Sequence, residues 1–348
     1  MANRDERLRE IAQAVGTGHT VAIFPHVGVD ADCIGAGMAL LDALEKAGNT
    51  VRIFTDAPMA ARFSFLPGAD RMVLYDPSVS PEVFLGAHYP DARVDFGILE
   101  DCSNAERIGA CRPLLEHCTQ TATIDHHASE RCSTELCCID AEACATAELI
   151  YDFIHIYEGL LGNRLMDESI ATNIIAAIYF DTGGMRYSNT GAKAFAIAAD
   201  LFAQYPVDIR NISYHLFEKT TFSKISIQAK AYSAVRVLAG GRIVISLITR
   251  QMIEESNADD DDIDGICNDL RNIAGVDAAF VLREKRVGEI RANIRSSGSF
   301  DASAFASELG GGGHRRAAGF SLHGMTVEEA YALVAQRSTG CLLGNTGC

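Results

Sequence analysis

The 348-residue sequence contains no apolar run that approaches the roughly 18 residues a membrane-spanning helix requires. Residues 1–13 also lack the apolar core of a secretion signal, because charged and apolar residues are interleaved there. These two absences predict a cytoplasmic protein with no membrane partner. The length favours two domains, and a hydrophobic content of 48% is sufficient for two cores.

Basic residues are in short supply. The chain has 30 Lys and Arg against 46 Asp and Glu, which gives a formal net charge of −16. Such a protein repels polyanions at long range, so the sequence disfavours one that grips long DNA or RNA through the phosphates. The acidic excess fits a site in which carboxylates surround cations, although part of it is ordinary surface charge, as in residues 259–262.

The eleven cysteines lack the C-x2-C spacing of a zinc knuckle. Five of them cluster in sequence, namely Cys111, Cys118, Cys132, Cys137 and Cys138. Cytosolic thiols are kept reduced, and a buried free cysteine packs as a small hydrophobic residue. The sequence therefore favours free thiols over disulfides or a structural zinc site.

Strands and helices alternate in the first half of the chain. Apolar β-forming runs predict strands at residues 20–25, 51–55, 96–99 and 122–124, and helical patterns occupy residues 34–46, 143–157 and 168–179. This alternation is typical of a parallel α/β sheet. Beyond an Ala-rich helix at 192–202, further strands are predicted at residues 234–238, 243–248, 278–283 and 289–294.

These patterns predict an α/β protein with two domains. A parallel-sheet domain occupies residues 1–190, a helical linker residues 191–230, and a smaller mixed α/β domain residues 231–340. We expect the active site in the cleft between the two domains.

Four short clusters of possible metal ligands stand at the ends of predicted elements. They are His26-x3-Asp30-x-Asp32, Glu100-Asp101, Asp125-His126-His127 and Asp181-Thr182-Gly183-Gly184. In open α/β sheets, ligands bind beyond the carboxyl ends of the strands, so these side chains are expected to lie at one edge of the sheet. Oxygen and imidazole ligands without thiolate suit manganese or magnesium better than structural zinc.

The first three clusters also have a structural explanation. Asp32 could simply cap the helix that follows, and Glu100-Asp101 could form a turn. Adjacent histidines point to opposite sides of an extended backbone, so one could bind metal while the other does different work, or one could be a core and the other a surface residue. A carboxylate at Asp181 opposes the helix dipole, and a bound cation would compensate for it.

Taken in order, these motifs resemble the DHH phosphoesterase family. Asp125-His126-His127 is similar to the name-giving motif, the run at 26–35 to the first motif, Asp101 with 107–109 to the second, and 181–190 to the fourth. The run from Gly310 to His314, followed by Ala317-Ala318-Gly319, resembles the hallmark of the DHH-associated C-terminal domain. The resemblance covers nearly the whole chain and is nearest to the nanoRNase and pAp-phosphatase branch. Val29 and Ala31 depart from the usual Pro and Gly of the first motif.

The resemblance implies a centre of two divalent cations, with manganese expected and magnesium or cobalt as alternatives. One metal would be bound by His26, Asp30 and Asp101, and the other by Asp32, Asp101, His126 and Asp181. His127 would lie beside the substrate phosphate as a hydrogen-bond donor or general acid, and Asp125 would orient the histidines. Two metals about 3.5–4 Å apart supply a hydroxide nucleophile and hold phosphate oxygens.

The second domain is expected to bind the rest of the substrate. Candidate residues are Arg291, Arg295, Gly311, Gly312, Gly313 and His314. The resemblance implies hydrolysis of short oligoribonucleotides to 5′-mononucleotides and dephosphorylation of 3′-phosphoadenosine 5′-phosphate (pAp). The alternatives are a cyclic or linear di-adenylate phosphodiesterase and a non-catalytic nucleotide or RNA binder. An inorganic pyrophosphatase is disfavoured because its C-terminal domain lacks the Gly-Gly-Gly-Gly-His run. Short RNA and small nucleotides are thus the expected partners, and a homodimer is left open.

Overall fold

The computed structural model describes residues 4–128, 132–298 and 300–342. The chain divides into two compact units, the first ending at Lys219 and the second beginning at Thr220. Within the described ranges, no helix combines the length and apolarity needed to cross a membrane. The predicted domain limits near 190 and 230 stay a prediction.

The first unit is built on a six-stranded sheet in which every pair of neighbouring strands is parallel, as predicted. Its strands are β1 (Thr20–Pro25), β2 (Thr50–Thr55), β3 (Met72–Leu74), β4 (Val94–Glu100), β5 (Cys118–Asp125) and β6 (Leu136–Ile139). Their order is β3-β2-β1-β4-β5-β6. The order therefore reverses between β1 and β4, and in such sheets this reversal opens a crevice at the carboxyl ends of the strands.

Eight α-helices accompany this sheet in the described part of the first unit. They are α1 (Arg4–Val15), α2 (Ala31–Lys46), α3 (Pro81–Gly86), α4 (Arg112–Leu115), α5 (Thr146–Leu161), α6 (Glu168–Asp181), α7 (Ala192–Gln204) and α8 (Ile209–Ser213). Helices α1, α2, α5 and α6 bury their apolar sides in the larger core of the unit, and a smaller core lies beside α3 and α4. Helix α2 begins at Ala31, earlier than predicted, because the Asp30 side chain accepts hydrogen bonds from the N–H groups of Asp32 and Cys33.

The second unit contains a mixed sheet in the order β11-β12-β10-β9-β8-β7, with only β8 and β9 parallel. Its elements are α9 (Phe222–Ser233), β7 (Val235–Leu238), β8 (Ile243–Ile248), α10 (Arg250–Ser256), α11 (Asp260–Ile263), α12 (Ile266–Arg271), β9 (Ala278–Arg286), β10 (Glu289–Ser296), α13 (Ala302–Ser307), β11 (Gly312–His314), β12 (Ala317–His323) and α14 (Val327–Leu342). Helices α13 and α14 cover one face of the sheet, and α9 to α12 cover the other. The predicted mixed α/β architecture is confirmed.

Cys132 and Cys137 are joined by a disulfide just before and within β6. The prediction of free thiols is therefore wrong for this pair. The turn between them brings their Cα atoms within 6.6 Å of each other. The spacing of the two cysteines in the sequence does not predict this proximity. Free thiols are found at Cys33, Cys102, Cys111, Cys118, Cys138, Cys144 and Cys267.

Candidate metal centre

The elements of the first unit bring the four predicted clusters together. His26 directly follows β1, and Asp101 directly follows β4, the two strands between which the sheet order reverses. Asp125 ends β5, so His126 and His127 leave the sheet on the adjoining strand. Asp181 is the last residue of α6. All six predicted metal ligands therefore lie in one cluster, although the segments that supply them are far apart in the sequence.

Asp101 lies in the middle of this cluster and is only 1% exposed. Its Oδ2 is 3.2 Å from His26 Nε2, whereas its Oδ1 is 3.6 Å from His126 Nε2 and accepts a 2.8 Å hydrogen bond from the Thr146 hydroxyl. The two oxygens thus face different histidines. This is the arrangement expected of a carboxylate that serves two cations.

His126 turns its Nε2 towards three carboxylates. Nε2 is 3.2 Å from Asp181 Oδ2 and 3.7 Å from Asp32 Oδ2, and it has no hydrogen-bond partner among the described residues. A buried ring nitrogen is rarely left unsatisfied in a folded protein. A metal ion at this point would satisfy it.

One carboxylate oxygen of Asp30 caps helix α2, and the other faces the metal-ligand cluster. Oδ1 accepts the N–H groups that begin α2, at 3.0 Å from Asp32 N and 3.1 Å from Cys33 N. Oδ2 lies 4.0 Å from His26 Nε2. The structural explanation in which Asp32 caps α2 is therefore wrong, because Asp30 is the capping residue.

Asp32 is tied instead to the beginning of α5. Its Oδ2 accepts from Thr146 N at 2.7 Å and its Oδ1 from Ala147 N at 3.1 Å. Ala145, in the N-cap position of α5, has no side-chain acceptor to offer. Sequence reasoning missed the roles of Thr146 and Ala147. The sequence feature that could have indicated these roles is that α5 begins without a capping residue of its own.

The pKa values of the cluster are shifted because several carboxylates lie close together and are shielded from solvent. Burial raises the pKa of Asp32 well above its ordinary value, and the carboxylates of Asp101 and Asp181 raise it further. Burial likewise raises the pKa of Asp30. Burial would lower the pKa of His126, but the surrounding carboxylates outweigh it and raise that pKa to about 10. Divalent cations would relieve this accumulation of charge.

Asp101 shows the opposite shift. Burial acts to raise its pKa, but the hydrogen bond from His26 and the nearby histidines outweigh burial, so the pKa of Asp101 is lowered. In contrast to Asp30 and Asp32, this central carboxylate is therefore favoured in its ionised form.

Glu100 is a further buried carboxylate beside the cluster. It is fully buried, its Oε2 lies 3.6 Å from Cys33 Sγ, and its Oε1 has no hydrogen-bond partner in the described ranges. Burial raises its pKa well above the ordinary value, with Asp101 adding to the effect. The raised pKa favours the protonated form of Glu100, a residue outside the proposed set of metal ligands.

The two histidines of the third cluster do not point to opposite sides. Their ring centroids are 4.5 Å apart, and both rings approach Asp101. The expectation fails because the chain leaves β5 at Asp125, so strand alternation no longer applies. Asp125 Oδ1 lies 2.9 Å from both the backbone N–H and the ring Nδ1 of His127. The side chain of His127 is 43% exposed, which makes it the accessible histidine of the pair.

The substrate-binding residues predicted in the second unit lie on β10 and on or just before β11, the two strands that flank β12. Arg291 and Arg295 share one face of β10, and β12 pairs with both β10 and β11, the strand that ends at His314. The glycine run was not predicted as a strand, because a three-residue strand is defined by its partner and not by a local pattern. A side chain at Gly311 would lie 2.2 Å from the Gly319 carbonyl oxygen, so this glycine is required by the packing of the chain on itself.

Two domain models match the chain: the DHH family, N-terminal domain, over residues 20–178 and the DHHA1 domain over residues 240–338. A Thermus thermophilus protein named bifunctional oligoribonuclease and PAP phosphatase NrnA is 28% identical over 333 residues, which cover 95% of this chain and 93% of that protein.

Solved structures show the same fold. The crystal structure of an exopolyphosphatase-related protein from Bacteroides fragilis superposes with a TM-score of 0.84 at 20% identity, covering 97% of this chain and 98% of that one. RecJ from Thermus thermophilus, crystallised in complex with Mn²⁺, gives a TM-score of 0.56 at 14% identity over 99% of this chain and 55% of that one.

Proposed function

Because the chain belongs to the DHH phosphoesterase family, we propose that it hydrolyses short oligoribonucleotides to 5′-mononucleotides and dephosphorylates pAp. The observation that carries this proposal is the convergence of six histidine and aspartate side chains around Asp101 at the crevice of the parallel sheet. The relative from Thermus thermophilus, which matches almost from end to end, bears the name of the same two activities. We propose that the enzyme acts in the cytoplasm.

We propose that two divalent cations occupy this cluster, with manganese preferred over magnesium or cobalt. His26, Asp30 and Asp101 would hold one, and Asp32, Asp101, His126 and Asp181 the other. The unsatisfied His126 Nε2 and the carboxylates packed around it support this assignment. When bound, such a pair supplies Lewis acidity and a water molecule of lowered pKa. The Mn²⁺ complex of the RecJ structure, which shares the fold, agrees with the choice of metal.

His127 is proposed as the residue that donates to the substrate phosphate or to the leaving oxygen. Asp125, which is fully buried, fixes the ring by contacts to its backbone N–H and its Nδ1. The Nε2 side of the ring is then the side available for a proton transfer. Asp125 thus acts on the chemistry through the orientation of His127, and does not need to touch the substrate.

The second unit is proposed to recognise the nucleotide. Arg291 and Arg295 supply guanidinium groups that suit a phosphate, and His314 follows the glycines of β11. Gly311, Gly312 and Gly313 keep side chains away from this region. The net charge of −16 disfavours long nucleic acid, so short RNA and small nucleotides are the proposed substrates. A homodimer stays a prediction.

A substrate panel tests the proposal. The purified protein is supplied with Mn²⁺ and assayed on pAp, on cyclic and linear di-adenylate, and on RNA of graded length from the dinucleotide upward. We expect turnover of pAp and of the shortest RNAs, with rates that fall as RNA length increases. Turnover of di-adenylate alone would reassign the enzyme as a di-adenylate phosphodiesterase. Tight nucleotide binding without turnover in Mn²⁺, Mg²⁺ or Co²⁺ would favour a non-catalytic nucleotide-binding protein.

A further inference from the structure

Strand β10 carries its charged residues on the face that α12 helps to cover. Ile290, Ala292 and Ile294 point into the core formed with α13 and α14, so Arg291 and Arg295 point to the opposite face. Arg295 is paired in register with Ala279 of β9, which belongs to the core on the α12 side. Arg295 therefore lies beside α12, a helix to which the sequence assigned no role in the site.

Asn268 of α12 holds the Arg295 side chain. Arg295 Nε donates to Asn268 Oδ1 at 3.0 Å, and one Nη1 proton of Arg295 is donated to the Ile294 carbonyl oxygen at 3.0 Å. Because Nε can only donate, the amide must present its oxygen here. Two of the five guanidinium N–H groups are thus used to fix the side chain, and the other three are available to a ligand.

The partner of Arg295 differs in charge from the partners of neighbouring arginines. Arg283 on β9 forms a two-pronged salt bridge with Asp260, and Arg242 is bound by Asp277 at 2.6 Å. No acidic side chain in the described ranges forms a salt bridge with Arg295. Arg295 is therefore held in place without being neutralised.

We propose that Asn268 is a positioning residue that orients Arg295 for a phosphate group of the substrate while leaving its positive charge intact. An amide oxygen accepts the Nε proton as a carboxylate would, but it brings no charge to compete with an incoming phosphate. The remaining fork of N–H groups matches two phosphate oxygens. The inference rests on the proposed function, since it adds Asn268 to the nucleotide-binding residues of that site.

Asn268→Asp separates position from charge. The carboxylate keeps an acceptor beside Arg295 Nε but cancels the guanidinium charge. We expect the KM for pAp to rise about tenfold or more, the loss typical of a charge-assisted hydrogen bond, with kcat changed by less than about twofold. Asn268→Ala keeps the charge and loses only the orientation, so its KM should rise less than that of Asn268→Asp.

The matched control is Asn272→Asp, which adds the same charge one turn further along, at the exposed C-terminal end of α12. It should leave KM within about twofold of the wild-type value. The double variant Asn268→Ala/Arg295→Ala should bind no more weakly than Arg295→Ala alone, because Asn268 acts through Arg295. Hydrolysis of bis(p-nitrophenyl) phosphate, which has no nucleoside, should be unchanged in the control Asn272→Asp.

The Kd of AMP, measured by calorimetry on the same proteins, compares the nucleotide affinities of the variants without requiring turnover. A wild-type protein that fails to hydrolyse pAp would contradict the proposed function, whereas the ratio of the Asn268→Asp Kd to the wild-type Kd reports on Asn268 alone. An unchanged Kd in Asn268→Asp, or additive losses in the double variant, would overturn the inference. Asn268 is on the surface, so these substitutions are compatible with folding.

Discussion

At the scale of single residues, Asp101 combines an exceptional backbone with a central place in the site. Its φ is 58°, in the left-handed region, where Asp and Asn are tolerated better than other residues that carry a side chain. The sequence predicted Asp101 as a ligand from its position after an apolar strand and from the family motif. It could not predict the contact with Thr146, because that contact depends on how α5 packs in the folded unit and not on any local pattern.

Asp101→Asn should abolish pAp hydrolysis, with a loss of at least about a hundredfold. Removing a residue that only supports a metal ligand already lowers activity by up to about a hundredfold, and Asp101 is proposed as a ligand itself. Asp101→Ala should lose activity equally. It should also be less stable than Asp101→Asn, by about 1 kcal/mol, because asparagine tolerates the left-handed conformation better than alanine does. Initial rates and urea unfolding in chelator measure the two effects.

The control is Asp91, which is exposed and has a φ of 56°. Asp91→Ala should show a similar loss of stability relative to Asp91→Asn, with full activity in both variants. Near-normal turnover in Asp101→Asn would exclude Asp101 from the metal centre.

At the scale of elements, most strands were predicted from the sequence, but β3, β6, β11 and β12 were not. β1, β2, β4 and β5 have apolar runs of their own, and each was predicted within a few residues. β3 and β11 have three residues each, too few for a periodic pattern, and they exist because an adjoining strand pairs with them. Helix α5 begins at Thr146, later than predicted, because the acceptor for its first N–H groups comes from Asp32.

The dependence of α5 on Asp32 predicts a difference between two neutral substitutions. Asp32→Asn keeps an oxygen that can accept from α5, whereas Asp32→Ala leaves two buried N–H groups without an acceptor. In chelator, Asp32→Ala should unfold with a free energy about 1–2 kcal/mol below that of Asp32→Asn. Both should lack activity, and urea titration followed by circular dichroism measures the difference.

Asp167 provides the reference for this comparison, because its side chain caps α6 by accepting from Ile170 N. The Ala and Asn variants at Asp167 should differ by about 1 kcal/mol, the ordinary value of a helix cap. Equal stabilities of Asp32→Ala and Asp32→Asn would show that α5 does not depend on Asp32.

At the scale of the whole molecule, the predicted ligands extend from His26 to Asp181 along the chain. An unfolded chain cannot hold such distant groups together, so cations bind the folded state preferentially. Each tenfold rise in free metal above Kd then adds about 1.4 kcal/mol to the free energy of unfolding. The sequence indicated which residues meet, because the carboxyl ends of parallel strands lie at the same edge of a sheet. It did not indicate the distances between these residues, because the distances depend on how the two cores of the first unit pack.

The effect of Mn²⁺ on stability should increase with pH. Burial raises the pKa values of Asp32 and Glu100 in the folded protein, so these groups hold protons that the unfolded chain releases near its ordinary pKa of about 4. The metal-free protein therefore loses stability as pH rises from about 4 through the raised pKa values. Metal binding displaces protons from its ligands, so the gain in melting temperature on adding Mn²⁺ should be larger at about pH 8 than at about pH 6.

Thermal unfolding in chelator and in Mn²⁺ at both pH values measures this difference, and Asp101→Asn should show little response to the metal. A shift in melting temperature that is equal at the two pH values, or equal in Asp101→Asn, would contradict the prediction.

The order of strands in the first sheet also determines where the chain can vary. The crevice forms because β1 and β4 are neighbours whose connections run to opposite sides, so its position does not depend on the length of the loops. None of the predicted metal ligands lies between residues 47 and 93, the stretch that contains β2, the edge strand β3 and α3. Insertions or replacements near β3 should therefore leave the geometry of the metal centre unchanged. This edge of the sheet is accordingly the place at which a further segment can be added.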